Sequence, residues 1–229
     1  RLDAPDRHQE GFRLKIACVS DLHGHLPEIP ECDILLIGGD IVPLEYQRSM
    51  AASAGWLGGP FREWLDDIVV RRDTEVFAVA GNHDIIFERR PDMVPELNWF
   101  YLHDSAATVD QHGRVWAYGS PYQPTFGAGW AFNLPEAKLV EKWSHIPKGI
   151  DILLLHGPPY GEGDLTIDGR HVGSLGLHER VLEVKPKLVV CGHIHEAYGL
   201  HPFGDTLIVN ASLVNHDYEP VNPIQVVEL

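Results

Sequence analysis

Five short runs of aliphatic residues recur along the chain, and each run ends directly in a polar cluster. Continuous apolar runs of this length, rich in Ile, Val and Leu, are typical of strands that are buried on both faces of a sheet. The strands predicted in this way cover residues 14–20, 33–38, 75–80, 150–155 and 187–191.

Between these strands, the apolar spacing and the composition predict helices over residues 49–72, 135–145 and 174–184. We expect a Gly/Pro segment to interrupt the first helix, because both residue types destabilise a helix interior. The segment comprises Gly55, Gly58, Gly59 and Pro60. Residues 108–120 and 205–229 are predicted as further strands. The order of elements indicates one α/β domain over residues 1–229, with two sheets face to face and helices outside.

The polar clusters stand at the carboxyl ends of the predicted strands, which is where ligands bind in open α/β sheets. We therefore expect all five clusters on one edge of the fold. They are Ser20-Asp21-Leu22-His23, Gly39-Asp40, Gly81-Asn82-His83-Asp84, His156-Gly157-Pro158-Pro159 and Gly192-His193-Ile194-His195.

The composition is typical of a globular protein, with 44% hydrophobic and 22% charged residues. No apolar run approaches the roughly 18 to 20 residues that span a bilayer. We therefore expect no membrane segment. Residues 1–11 are polar, so we expect no secretion signal in the sequence as given, and the sequence leaves open a leader that has been removed. The three cysteines have no disulfide-like spacing, which favours a cytoplasmic location.

The formal net charge of −15 limits the expected partners. A surface of this sign repels the phosphates of DNA and RNA, so a nucleic acid partner is not expected. Bound divalent cations would offset the charge locally, and the 14 histidines supply many imidazoles for a metal site. The sequence leaves the oligomeric state open.

Two of the clusters have the spacing of metal ligands. Asp21-x-His23 and His193-x-His195 place ligands at i and i+2, on one side of an extended segment, and both residue types suit Mn, Fe, Zn or Mg. Either pair alone is common on ordinary surfaces. The string Gly81-Asn82-His83-Asp84 is sharper, since it arises by chance in about one of a thousand chains of this size. The combination of these clusters, each of which directly follows a predicted strand, predicts a metal centre.

These clusters resemble the five motifs of the calcineurin-like metallophosphoesterase superfamily, over about residues 15–212. Four segments, two of which overlap clusters named above, resemble the small metallophosphoesterase-domain-containing proteins of animals and their microbial relatives. They are YGSPY at 118–122, GWAFN at 129–133, HGPP at 156–159 and HIHEAYG at 193–199. The resemblance implies a two-sheet β-sandwich flanked by helices, in four layers α/β/β/α, with two divalent metals at one edge and Mn²⁺ as the expected ion.

The resemblance also assigns ligands, position by position. The first metal is expected on Asp21, His23 and His195, the second on Asn82, His156 and His193, and Asp40 is expected to bridge both. Some relatives lack the first histidine of the last motif. Because His193 is present here, we expect an active enzyme.

Two such metals can share a water, lower its pKa to give a hydroxide that attacks phosphorus, and bind the phosphoryl oxygens. The departing alkoxide then needs a proton. His83, which adjoins Asn82 and is not assigned as a ligand, is the candidate general acid. Asp84 either orients the His83 imidazole or caps the following helix, and the sequence leaves both roles open.

The expected substrate is a small phosphodiester, such as a cyclic nucleotide. The protein phosphatases of the superfamily carry arginines after the second motif and before the third, and these arginines bind a phosphomonoester dianion. This chain has Ile41 and Ala80 at the corresponding places, and a diester needs less cationic binding. The alternatives are a catalytically silent scaffold of the same fold, a phosphomonoesterase and a nuclease.

Three further residues are candidates for substrate binding. His25 either faces the substrate or lies in a solvated loop, and Trp130 either stacks on a base from a lid or packs under a loop. Arg170, in the polar segment 161–173, is the candidate substrate cation.

Overall fold

A computed structural model of the protein describes residues 13–110 and 113–229. Its strands are β1 (Lys15–Val19), β2 (Ile34–Ile37), β3 (Glu75–Ala78), β4 (Phe100–Tyr101), β5 (Ser105–Thr108), β6 (Trp116–Ser120), β7 (Gln123–Pro124), β8 (Asn133–Leu134), β9 (Ile152–Leu155), β10 (Leu188–Cys191), β11 (Gly199–Phe203), β12 (Thr206–Asn210) and β13 (Gln225–Glu228). The α-helices are α1 (Met50–Trp56), α2 (Arg62–Asp66), α3 (Ile85–Arg89), α4 (Glu136–Trp143) and α5 (Leu175–Val184). Single 3₁₀ turns occur at Pro91–Met93 and His195–Ala197, and π-helical turns at Leu57–Phe61 and Asp67–Arg71.

Two sheets form the centre of the molecule. The first has the order β13-β1-β2-β3-β4, in which β1 to β4 are parallel and β13 is antiparallel to β1. The second has the order β11-β12-β10-β9-β6-β5, with parallel strands in the middle and an antiparallel strand at each edge. The parallel strands of each sheet therefore send their carboxyl ends to one edge.

Three hydrophobic cores separate four layers. Because side chains alternate along a strand, β1 serves two cores: Ile16 and Cys18 pack between the sheets, and Ala17 and Val19 pack against the segments 50–71 and 85–89. The third core lies between the second sheet and the helices α4 and α5. Each fully buried aliphatic side chain contributes about 1.5 to 3 kcal/mol to folding. The layers confirm the predicted α/β/β/α fold, a β-sandwich flanked by helices.

The prediction of strand over residues 108–120 is confirmed for β6, whereas the stretch between Thr108 and Trp116 is not a strand in the described residues. β5 ends at Thr108 and pairs antiparallel with β6, which begins at Trp116; residues 111–112 lie outside the described residues. Residues 205–229 form two strands, β12 and β13, in different sheets. The edge strand β11 was not predicted, since its side chains are only half-buried or exposed and it contains Pro202.

The first predicted helix has the expected extent, but the expected break does not occur. Ser49 begins it by accepting a hydrogen bond from the Ala52 N–H at 3.3 Å. Gly58, Gly59 and Pro60 lie in a π-helical turn, so the helix widens instead of stopping. A π turn accommodates Pro60 because its changed hydrogen-bonding pattern tolerates a residue without an N–H.

The two sheets are joined directly at the edge where the polar clusters follow. The Ser20 N–H donates to the Ala211 carbonyl and the Leu213 N–H donates to the Ser20 carbonyl, both at 2.8 Å. These bonds connect the end of β1 in the first sheet to the segment after β12 in the second. They fix the relative position of the loops that carry the predicted ligands.

The three cysteines, Cys18, Cys32 and Cys191, are free and buried. Within the described residues, no helix has both the length and the apolar character that a membrane crossing requires. The expectation for residues 1–11 falls outside the part of the chain that the structure describes.

Candidate metal centre

Several of the predicted ligands have a left-handed backbone, which is uncommon for residues other than glycine. The φ angles are 54° at Asp21, 43° at His23, 52° at Asp40 and 68° at His193. Hydrogen bonds between loops hold the first three: the Asp21 N–H donates to the Gly39 carbonyl at 2.9 Å, and the His23 N–H to the Asp40 carbonyl at 2.8 Å. Strained residues of this kind concentrate at functional sites.

The first ligand group consists of Asp21, His23 and His195, whose ligand atoms all lie within 4.8 Å of one another. His195 Nε2 is 3.3 Å from Asp21 Oδ1, and its Nδ1 is 3.1 Å from the Asn215 carbonyl oxygen. Ser212 Oγ donates to Asp21 Oδ2 at 2.7 Å. Metal ligands are usually oriented by such outer hydrogen bonds.

Asp40 lies between the first group and the second. Its Oδ2 is 3.8 Å from His23 Nε2 and 3.5 Å from His156 Nε2. Its Oδ1 accepts a hydrogen bond from the His83 N–H at 2.7 Å. Asp40 also forms a ligand group with Asp21 and His156. This is the position that a bridging carboxylate would need.

The second ligand group brings together Asn82, His156 and His193. His156 Nε2 is 2.8 Å from Asn82 Oδ1, and its Nδ1 is 2.9 Å from the Gly38 carbonyl oxygen. The His193 ring centroid is 5.0 Å from that of His156. The structure therefore brings together all seven predicted ligand side chains at the edge of the two sheets.

The chemistry of these donors fits divalent cations. Both ring nitrogens of His23 are buried and have no hydrogen-bond partner among the described residues, which is costly without a ligand. Burial, together with the charges of Asp21 and Asp84, raises the pKa of Asp40 well above its usual range. Bound cations relieve both effects, since they accept the lone pairs and neutralise the crowded carboxylates.

Two motif glycines allow the carboxylates to approach neighbouring loops. A Cβ atom on Gly81 would lie 2.2 Å from Asp40 Oδ1, and one on Gly192 would lie 2.1 Å from Asp21 Oδ2. No side chain fits at such distances. Only glycine fits at these two positions, because the carboxylates of Asp40 and Asp21 lie so close to the backbone.

His83 lies beside the ligand groups. Its Nε2 is 3.9 Å from Asp40 Oδ2, and its ring centroid is 4.7 Å from that of His23. Its Nδ1 is buried without a hydrogen-bond partner among the described residues. Burial and the nearby His156 lower the pKa of His83 to about 4. His83 with His23 and Asp40 also meets the distance requirement for ligation, so the geometry suits both a ligand and a proton donor.

Asp84 stands at the N-cap position of α3, but its side-chain contacts match neither of the two roles considered for it. Its Oδ1 accepts hydrogen bonds from the N–H groups of Ile41 and Val42, both at 2.9 Å, and its Oδ2 accepts from the Gly81 N–H at 2.8 Å. It makes no capping hydrogen bond to α3. Because both oxygens face backbone N–H groups, the carboxylate joins the loops after β2 and β3 and does not orient the His83 ring.

The three candidates for substrate binding lie in different environments. Trp130 packs on His83, with 4.5 Å between ring centroids. His25 is half-buried, and its ring takes no part in the aromatic and hydrogen-bond contacts of the centre within the described residues. Arg170 lies in an exposed loop, where its Nε donates to Asp168 Oδ2 at 2.7 Å. This ion pair argues against Arg170 as the substrate cation.

The sequence did not indicate Tyr218. Its ring centroid is 4.9 Å from that of His23 and 5.2 Å from that of His195, so the ring lies against the first ligand group. On the other side, the exposed Phe126 lies 4.8 Å from the His193 ring. Tyr218 belongs to an irregular loop after β12, where no periodicity or motif marks it, and only the folded chain brings it to the site.

Comparisons with known proteins agree with this geometry. The sequence matches the calcineurin-like phosphoesterase family over residues 14–197. The human protein named metallophosphoesterase domain-containing protein 1 is 36% identical over 245 residues, which cover 94% of this chain and 71% of the human protein. A UPF0046 protein of Caenorhabditis elegans is 29% identical over 252 residues, covering 97% of this chain and 61% of the worm protein.

A solved structure shows the same fold at low identity. The protein TT1561 of Thermus thermophilus has a TM-score of 0.55 and 14% identity, covering 87% of this chain and 89% of that protein. The family match contains all the predicted ligand positions, from Asp21 to His195. This match over most of the chain confirms the resemblance: the chain belongs to the calcineurin-like phosphoesterase family.

Proposed function

We propose that the protein hydrolyses small phosphodiesters with two divalent metal ions, for which Mn²⁺ is the first candidate. The observation that carries the proposal is that two candidate ligand groups meet at one edge of the two sheets, with Asp40 next to His23 of the first and His156 of the second. Family membership supports metal-dependent phosphoester chemistry. The preference for diesters and the identity of the metal belong to the proposal.

The candidate ligands would divide between the two cations as the motifs suggest. One cation would be held by Asp21, His23 and His195, the other by Asn82, His156 and His193, and Asp40 would be shared. When bound, two such cations activate a shared water and polarise the phosphoryl oxygens. The chain contributes rigidity, because loop-to-loop hydrogen bonds and the outer contacts of Asp21, His156 and His195 fix the ligands.

His83 would donate the proton that the leaving alkoxide requires. Its backbone N–H is bonded to Asp40 Oδ1, and Trp130 packs against its ring, so the imidazole is held beside the ligand groups. We assign the proton to Nε2, the nitrogen on the Asp40 side. A bound phosphoryl anion favours the protonated imidazole and opposes the burial that lowers its pKa.

The preference for diesters rests on the shortage of cationic side chains next to Asp40. Ile41 and Val42 follow it, both fully buried, and Ala80 precedes Gly81. A phosphomonoester dianion is usually bound by a bidentate arginine, whereas a diester has a single negative charge. A cyclic nucleotide or another small diester is therefore the proposed substrate.

The test compares bis(p-nitrophenyl) phosphate with p-nitrophenyl phosphate after chelation and addition of Mn²⁺. We expect turnover that returns with the metal and favours the diester. Asp40→Ala and His83→Ala should each reduce kcat by at least about 10²-fold, since a shared ligand or a general acid is lost. Asp205→Ala and His145→Ala, at exposed positions, serve as matched controls and should retain turnover.

The outcomes separate the alternatives. Loss of turnover in both site variants, with both controls active, supports the proposal. Preference for the monoester would overturn the diester assignment and favour a phosphomonoesterase. If the metal-loaded protein also fails on natural diesters, or if Asp40→Ala keeps full activity, the two-metal reaction is wrong and the scaffold alternative stands.

A further inference from the structure

The segment of residues 125–132, which follows β7 and is rich in glycine and aromatic residues, forms one wall of the candidate site. Trp130 lies with its ring centroid 4.5 Å from that of His83, and Phe126 stacks on Trp130 at 6.1 Å with 19° between the ring planes. Phe126 in turn contacts the His193 ring. A group that leaves toward His83 would therefore depart along this wall.

Two arginines converge on the same segment. The Arg48 guanidinium carbon lies 5.3 Å from the Trp130 ring centroid, within the range of a cation–π contact. Its Nη1 would be 3.9 Å from a Cβ atom on Gly129, and Arg89 Nη2 donates to the Gly129 carbonyl at 3.0 Å. Arg48 comes from the loop before α1 and Arg89 from the end of α3, so the two cations reach this wall from separate elements.

These two arginines differ from many others in the chain. Several arginines are paired with acidic neighbours: Arg71, Arg90, Arg170 and Arg180. Arg48 and Arg89 form no ion pair with any residue that the structure describes, although the chain has a formal net charge of −15. Two exposed guanidinium groups without acidic partners, in so acidic a protein, form a local site of positive charge.

We propose that Arg48 is a specificity-determining residue that binds a second anionic group on the leaving alcohol of the phosphodiester. The assignment rests on the proposed function, because His83 defines the side on which the leaving alcohol departs, and the Trp130 ring contacts both His83 and Arg48. The substrate class is then narrower: small diesters whose leaving alcohol carries a carboxylate or a phosphate. Arg89 supports the wall by holding the Gly129 backbone.

The test uses two chromogenic diesters that differ by one carboxylate on the leaving group: methyl 4-nitrophenyl phosphate and methyl 3-carboxy-4-nitrophenyl phosphate. The measured quantity is the ratio of kcat/KM for the carboxylated ester to that for the plain ester, with Mn²⁺ present. In Arg48→Gln we expect this ratio to fall about tenfold, as for the loss of one charge-assisted contact at an exposed site. Arg48→Lys should retain part of the preference for the carboxylated ester, because the positive charge is kept. Added salt should lower the ratio in wild type, because it screens the attraction between the two charges.

Control variants separate Arg48 from other cations. Arg71→Gln changes an exposed arginine on the first helical segment, and Arg170→Gln changes the cation that the sequence suggested; neither should alter the ratio. Thermal unfolding of Arg48→Gln checks that the fold is intact. An unchanged ratio in Arg48→Gln would overturn the proposal, and so would a fall confined to Arg170→Gln.

A binding measurement keeps this proposal distinct from the proposed reaction. Calorimetry with 5-hydroxy-2-nitrobenzoate, the carboxylated product, reports the anion site without turnover. We expect about tenfold weaker binding in Arg48→Gln than in wild type. If wild type hydrolyses neither ester, the proposed function fails, and Arg48-dependent binding of this anion would still support the site. Equal binding of this anion by wild type and Arg48→Gln would overturn the proposed role of Arg48.

Discussion

Gly81→Ala tests whether close packing of the loops positions the metal ligands. The added Cβ would lie 2.2 Å from Asp40 Oδ1, 2.6 Å from the Asp40 backbone N and 2.6 Å from His156 Cε1. Non-bonded atoms prefer about 3.5 to 4 Å, so the groups must separate by about 1 Å. A change of rotamer cannot relieve this contact, because the Asp40 backbone is part of it. Movement of Asp40 would also strain its hydrogen bond from the His83 N–H.

The expected effect of Gly81→Ala is larger on activity than on stability. Misplacement of a reacting group by about 1 Å can reduce the rate about 10²-fold. Overpacking of this kind costs about 1 to 3 kcal/mol, and each kcal/mol lowers the melting temperature by about 2 to 4 °C in a chain of this size. We therefore expect about 10²-fold lower kcat on bis(p-nitrophenyl) phosphate, reduced metal content, and a protein that still folds.

Gly55→Ala is the matched control for this experiment. Gly55 lies in α1, and a Cβ atom there would meet nothing within 4 Å. Alanine favours a helix over glycine by up to about 1 kcal/mol, so this variant should be slightly more stable and fully active. If Gly81→Ala kept the metal content and kcat of wild type, the loops could move to accept the added methyl group. The claim that their close packing positions the ligands would then be refuted.

Three further predictions concern the surroundings of the ligands. Asp40→Asn should abolish diester hydrolysis yet raise the melting temperature of the chelated protein at pH 7. Burial and the charges of Asp21 and Asp84 raise the pKa of Asp40, so ionisation of this carboxyl makes wild type less stable as pH rises. The difference in melting temperature between the variant and wild type should therefore vanish as the pH falls to about 4 and lower, where the carboxyl becomes protonated in both the folded and the unfolded chain. Ser212→Ala removes the donor to Asp21 Oδ2 and should weaken metal binding about tenfold by calorimetry; unchanged affinity would show that the hydroxyl does not tune the ligand. Tyr218→Ala should lower kcat several-fold by uncovering His23 and His195, whereas Tyr218→Phe keeps the ring contacts and should stay near wild type.

The gathering of the polar clusters at one edge of the fold was predictable because each cluster is tied to a local pattern. A buried parallel strand is a short aliphatic run, and its carboxyl end is fixed by the next polar residue, as with Val19 before Ser20-Asp21 or Leu155 before His156. Parallel pairing then brings these ends to one edge. The layers of the fold followed from the same runs, since strands buried on both faces require cover on both sides.

The remaining features depend on contacts between distant segments. The carboxylate of Asp84 bonds to Ile41 and Val42, more than 40 residues away, and no spacing within its own motif indicates this. Arg170 was a reasonable candidate by position, yet Asp168, two residues away, neutralises it. Arg48 lies in a loop without a motif, and only tertiary packing places it over Trp130.

The candidate metal centre takes its predicted ligands from both sheets, and this arrangement would link metal binding to the integrity of one edge of the fold. Asp21 and His23 follow β1 of the first sheet, whereas His195 follows β10 of the second, so a cation on this group would connect the two sheets. Ligands that bind only the folded state stabilise it. The three hydrophobic cores, however, lie within the layers and are complete without a metal. Removal of the metals should therefore loosen the ligand loops before it unfolds the layers, since regions with few apolar contacts open first. Substitutions of the ligands can then abolish activity while the fold survives.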